Sequence, residues 1–112
     1  MGTSIEVAPP PPPGPTHPIK VSHWAEGNLL YRVRPDYPQI ARQARIQGPV
    51  QLWAIISKGG TIENLVVESG HPMLVAATIK AVRQWRYRPY LLNGEPVEVE
   101  AEVTVNFVLG GS

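Results

Sequence analysis

The stretch Ser69 to Pro89, SGHPMLVAATIKAVRQWRYRP, constrains the fold most, because a helix start, an apolar face and a stop are all written into it. Pro72 suits a first helical position, where its missing N–H costs nothing, and Ser69 or Gly70 lies just ahead as a cap. Leu74, Ala77, Thr78, Ala81, Val82 and Trp85 recur at spacings of three or four and so share one face, while Lys80, Arg83 and Arg86 point away. Leu74, Ala81 and above all Trp85 are therefore expected in the core. Pro89 disfavours helical geometry at Arg88 and is expected to stop the run.

The rest of the chain supplies partners for that face. Residues 8–18, APPPPPGPTHP, read as a polyproline II spacer, in which the positions from Ala8 to Pro15 reach only about 25 Å. Ile19 to Trp24 and Leu29 to Val33 are short strand candidates around Ala25-Glu26-Gly27-Asn28, the pattern of a hairpin. Pro38 is expected to open a short helix running to about Gln47, with Ile40, Ala41 and Ala44 on its apolar face. Val50 to Ser57 alternates, placing Val50, Leu52, Ala54 and Ile56 inward and Trp53 and Ile55 outward. Lys58-Gly59-Gly60-Thr61 then turns the chain into an antiparallel return over Ile62 to Glu68. After the long helix, Leu92-Asn93-Gly94-Glu95 makes another turn, and Val97 to Val108 is expected to form one long strand. The order predicts an α+β fold, a small antiparallel sheet with two helices packed on one face.

With 112 residues, 43% of them hydrophobic, the chain is long enough for one domain with its own core. The domain is expected over 19–109, with residues 1–18 a start and spacer and 110–112 a tail. Met1-Gly2-Thr3-Ser4 reads as the start of an excised fragment, so that the native amino terminus and any anchor are expected upstream. A net charge of +1, from ten basic and nine acidic residues, gives no bulk field for nucleic acid. Charge is local instead: Glu95, Glu98, Glu100 and Glu102 crowd one strand, Lys80, Arg83, Arg86 and Arg88 crowd the helix end, and the two groups are expected to face each other. The absence of cysteine excludes disulfides and thiolate chemistry.

His17, His23 and His71 have no metal-ligand spacing, and no cofactor-binding motif is present. Glu98, Glu100 and Glu102 alternate on one strand face about 7 Å apart, which fits a solvated face better than a catalytic carboxylate pair. With no nucleophile–base pair and no phosphate loop, the chain is not expected to be an enzyme. The unusual feature is the length of the last strand, part of which should outrun its partner and expose unpaired backbone groups. Such an edge can accept an extended peptide or a second copy of the chain, unless the segment Ile19 to Val33 covers it. Trp53 on the outward face marks either an interface or a surface covered by the expected hairpin.

Several short motifs carry a resemblance when taken in order. They are Tyr37-Pro38, Ala41-Arg42 and Ala44-Arg45 with Ile46-Gln47-Gly48, Gly59-Gly60-Thr61-Ile62, Ser69-Gly70-His71-Pro72, the run Ala81 to Pro89, and Asn93-Gly94-Glu95-Pro96-Val97. Together they resemble the TonB carboxy-terminal domain family from about Ile19 to Leu109. The resemblance implies a periplasmic domain of a Gram-negative-type bacterium, tethered to the inner membrane by an upstream helix that couples to an ExbB/ExbD channel. It also implies that the domain binds the TonB box of outer-membrane transporters as an added strand, and so transmits work derived from the proton-motive force. Carried over by position, the contact residues are Arg34, Pro35, Asp36, Tyr37 and Pro38, with the strand of Val99, Ala101, Val103, Val105 and Phe107. Val33-Arg34-Pro35-Asp36 replaces the glutamine-flanked form of the best-studied members. The Leu91 to Val97 connection resembles the broader TonB-like group, which leaves two alternatives: an envelope interaction or sensing module without a transport role, or a self-associating structural domain.

Overall fold

The computed structural model describes residues 19–110. The spacer and start expected over residues 1–18, and the end of the tail, lie outside the described residues. Eleven elements follow in order: β1 (Ile19–Lys20), α1 (Ser22–Glu26), β2 (Leu29–Tyr31), α2 (Gln39–Gln43), β3 (Gly48–Ile56), β4 (Ile62–Ser69), α3 (Pro72–Val82), β5 (Arg86–Tyr87), β6 (Tyr90–Leu92), β7 (Glu95–Val97) and β8 (Val99–Phe107). The fold is α+β, as the patterning predicts, with a four-stranded sheet in the order β1-β8-β3-β4.

The alternation of β3 and β8 builds the core. Val50, Leu52, Ala54 and Ile56 point to one face, opposite Val105, Val103, Ala101 and Val99 in antiparallel register, and all eight are buried. Leu74, Val82, Trp85, Tyr87 and Phe107 close the same cluster. Each large apolar side chain so buried contributes about 1.5–3 kcal/mol, so the facing rows of β3 and β8 supply much of the core. Pro49 sits inside β3 without loss: its partner across β8 is Asn106, and β4 reaches only to Gln51, so no ladder donor is missing there.

α3 begins at Pro72 as expected, but its cap is His71, whose Nδ1 accepts from the Met73 N–H at 3.1 Å, rather than Ser69 or Gly70. It also ends at Val82, well before Pro89. The Gln84 and Trp85 amides bond to the carbonyls of Ala81 and Val82 in tightened turns, and this swings Trp85 back beneath the sheet as a buried residue outside the helix. Gly60 is required in the β3–β4 turn: at φ 88° a Cβ there would stand 2.0 Å from the Tyr87 carbonyl oxygen.

Five expectations are corrected. Ile19 to Val33 is not a hairpin: β1 pairs in parallel with β8, Trp24 lies in the additional helix α1, and β2 pairs with β5. There are accordingly three helices, not two, among the described residues. The helix expected from Pro38 to Gln47 closes at Gln43, and Arg45 takes a left-handed φ of 57° as the chain turns into β3. The strand expected over Val97 to Val108 is divided, because Val97 pairs with Tyr90 across the Asn93-Gly94 turn while β8 starts afresh at Val99. The acidic strand and basic helix end do not meet either. Glu95 lies apart in β7, while Glu102 adjoins Glu68 and Glu98 adjoins Glu63.

Candidate partner-strand site

β8 is an inner strand, second in the order β1-β8-β3-β4, yet half of its edge toward β1 is open. The Val21 N–H donates to the Glu100 carbonyl at 2.8 Å, and the Glu102 N–H donates to Ser22 Oγ at 2.8 Å. Backbone groups alternate along a strand, so Glu100, Glu102, Thr104 and Asn106 turn theirs to the β1 edge, and the residues between turn theirs to β3. β1 pairs only with Val99 and Glu100. Among the described residues nothing beyond Ser22 pairs with the edge, which leaves the N–H and C=O of Thr104 and Asn106 open to another strand.

This refines the placement of the expected edge residues. Val99, Ala101, Val103, Val105 and Phe107 are 0–5% exposed, with side chains in the core and backbone groups bonded toward β3. The groups at the edge belong to Thr104 and Asn106, which the sequence reading did not single out. Alternation together with the last pairing residue of β1 would have identified them, but that residue is a tertiary fact.

The segment Arg34-Pro35-Asp36-Tyr37-Pro38 stands beside the open half of the edge. With Arg32 it walls a cleft of about 300 Å³ whose other side is residues 105–108 of β8 and its end. A second cleft, of about 360 Å³, separates the same segment from α3 at Ala76, Ala77, Lys80, Ala81 and Gln84. The segment is thus a rib between strand edge and helix. Its two ends are pinned: the Val33 carbonyl accepts from Trp85 Nε1–H at 2.9 Å, and Tyr37 packs edge-on against Phe107, ring centroids 5.3 Å apart, while its hydroxyl donates to the Ile46 carbonyl. Arg34 and Asp36 are exposed, whereas Pro35, Tyr37 and Pro38 are half-buried. Arg32, unnoticed in the sequence, stacks its guanidinium over Trp85 with 5.4 Å to the ring centroid.

The opposite edge of the sheet is protected. β4 carries two bulges, at which Glu68 and Glu63 are the extra unpaired residues, and bulges with charges discourage strand addition. On the outer face partial desolvation, then the hydrogen bond and charge of Glu102, raise the Glu68 carboxyl above its ordinary 4.5. The hydrogen bond to Glu63, then desolvation and the Glu63 charge, raise Glu98, against an opposing pull from Lys58. Trp53 on this face is half-buried under the Lys20 ammonium, 5.4 Å from the ring centroid, and not under a hairpin. No group of three or more potential metal ligands occurs among the described residues, and no described helix is long and apolar enough to cross a membrane.

Comparison with known proteins agrees with this architecture. The family described as Gram-negative bacterial TonB protein C-terminal matches residues 33–109. Protein TonB of Vibrio cholerae is 32% identical over 82 residues, 71% of this chain and 34% of the relative. Protein TonB of Klebsiella pneumoniae is 34% identical over 84 residues, 73% of this chain and 32% of the relative. The chain therefore spans about a third of the length of these curated relatives. Among solved structures, the solution structure of the Pseudomonas aeruginosa TonB CTD superposes with a TM-score of 0.62 at 29% identity, covering 75% of this chain and 87% of that one. The TonB2 protein of Vibrio anguillarum superposes with a TM-score of 0.56 at 25% identity, covering 97% and 99%.

Proposed function

This chain belongs to the Gram-negative bacterial TonB protein C-terminal family, and we propose that it is the periplasmic partner-binding domain of a TonB-type energy transducer. It is a non-enzymatic domain. Its partner is an extended peptide, the TonB box of an outer-membrane transporter, which adds as a strand to the open edge of β8. An inner-membrane anchor upstream and an ExbB/ExbD-type channel supply the pull. The carrying observation is the asymmetry of the sheet: the β4 edge is bulged and acidic, while the β8 edge at Thr104 and Asn106 runs without a bulge, is unpaired among the described residues and is flanked by the cleft under Arg34 and Tyr37.

Physical considerations fit a reversible dock. Two edge residues offer four backbone groups, each worth about 1 kcal/mol net, and association costs more than that unless side chains fill the cleft. A weak dock still transmits force, because tension along paired strands loads their hydrogen bonds together and none breaks alone. The rib from Arg34 to Pro38 supplies the wall against which the peptide's side chains pack, and Trp85 and Phe107 hold that wall in place. Titration of the isotopically labelled chain with a synthetic TonB-box peptide tests this. The amide signals of Thr104 and Asn106 should shift most, and a titration that moves neither places the dock elsewhere.

A further inference from the structure

We propose that the segment Ile19–Ser22 is a built-in competitor for the partner strand, occupying the first half of the docking edge until the partner displaces it. The inference rests on the docking proposed above. β1 is a stand-in strand of minimal length: two exposed residues pair with Val99 and Glu100, and the chain then leaves the sheet as α1. At Ser22 the backbone has already turned helical, with the Val21 carbonyl accepting from the Ala25 N–H at 2.8 Å. A side chain therefore completes the edge, since Ser22 Oγ takes the position of a strand carbonyl for the Glu102 N–H. Among the described residues this segment satisfies the edge groups of Glu100 and the N–H of Glu102, and leaves those of Thr104 and Asn106 unpaired.

What holds the segment is slight. Besides these bonds it has the burial of Val21 and Ala25, one helical turn too short to persist alone, and the Lys20 ammonium over Trp53. An incoming strand that stops at Thr104 gains only the open half. One that runs on to Glu100 doubles the number of edge residues it pairs with, and must expel β1 to do so. The intramolecular strand thus scales the apparent affinity down to the fraction of molecules in which the edge is open. β1 is also the first described element after the proline-rich stretch, so tension applied from the amino-terminal side loads it before any other part of the sheet. Pulling would peel β1 and lengthen the edge available to the partner.

Two variants test the competition. Val21→Pro removes the N–H that bonds to Glu100, and Ser22→Ala removes the acceptor for Glu102. Binding of a fluorescent synthetic TonB-box peptide is measured by anisotropy, alongside hydrogen exchange of the Glu102 and Thr104 amides. The peptide should bind about tenfold tighter to Val21→Pro and about threefold tighter to Ser22→Ala. The Glu102 amide should exchange faster in both variants when free, and slow again when peptide is bound. Should Val21→Pro not fold, Ser22→Ala decides alone, since it removes only a hydroxyl. Unchanged or weaker binding in folded variants, with the Thr104 amide still protected by peptide, overturns the competition and leaves the docking site standing. Failure of the peptide to protect Thr104 in any form removes the docking site and the competition together.

Discussion

Replacing Trp85 by alanine should cost the fold most of its stability. The indole is 4% exposed in the common core, and its N–H is the donor that satisfies the Val33 carbonyl. Truncation opens a cavity, worth about 3–5 kcal/mol for a buried tryptophan, and frees a half-buried carbonyl at about 1 kcal/mol more. For a domain of this size each kcal/mol lowers Tm by about 4–8 °C, so a fall of about 15–50 °C is expected by circular dichroism. Trp85→Phe divides the effect, because it keeps an aromatic ring and loses the donor. Its cost should be about 1–2 kcal/mol. That variant should also weaken peptide binding more than its stability implies, since Val33 anchors the rib that walls the cleft. A Tm within a few degrees of wild type for Trp85→Ala would refute the placement of the indole at the centre of the core.

Two further outcomes follow from local geometry. Gly60→Ala should destabilise by about 2–4 kcal/mol in urea melts, because the methyl group collides with the Tyr87 carbonyl at a φ that favours glycine; a wild-type midpoint would show that the turn relaxes. For the outer-face carboxylates the sign is set by the raised Glu68 value: above 4.5 the folded state holds a proton that the unfolded state has released, so this pair loses stability as pH rises through that window. Glu102→Gln removes the like charge and should gain in Tm over wild type from pH 4.5 toward neutrality, whereas a constant difference between the two would mean that the carboxyls do not interact.

The parts of the fold that were legible are those governed by local period and turn chemistry. Val50 to Ile56 alternates without interruption, Asn93-Gly94 supplies two positive φ values at its turn, and Pro72 starts α3. What escaped is what distant partners decide. Ile19 and Lys20 join a strand eighty residues away, and parallel pairing leaves no turn in the sequence to announce it. Trp24 lies in a helix from which its ring meets Tyr90 edge-on at 5.0 Å, a contact that no local pattern announces. Val97 and Val99 look like one strand until Tyr90 claims the first of them. The candidate site divides along the same line. The rib at Arg34 to Pro38 came from a motif, but the free amides of Thr104 and Asn106 depend on where β1 stops.

The decisive comparison is peptide binding by Thr104→Pro against wild type. Proline at this position removes a single N–H that faces the open edge and takes part in no bond to β3, so the sheet should persist. The variant should keep its Tm within a few degrees and lose TonB-box peptide binding about tenfold, through the missing donor and the ring that obstructs the edge. Full binding by a folded Thr104→Pro chain would contradict strand addition at β8.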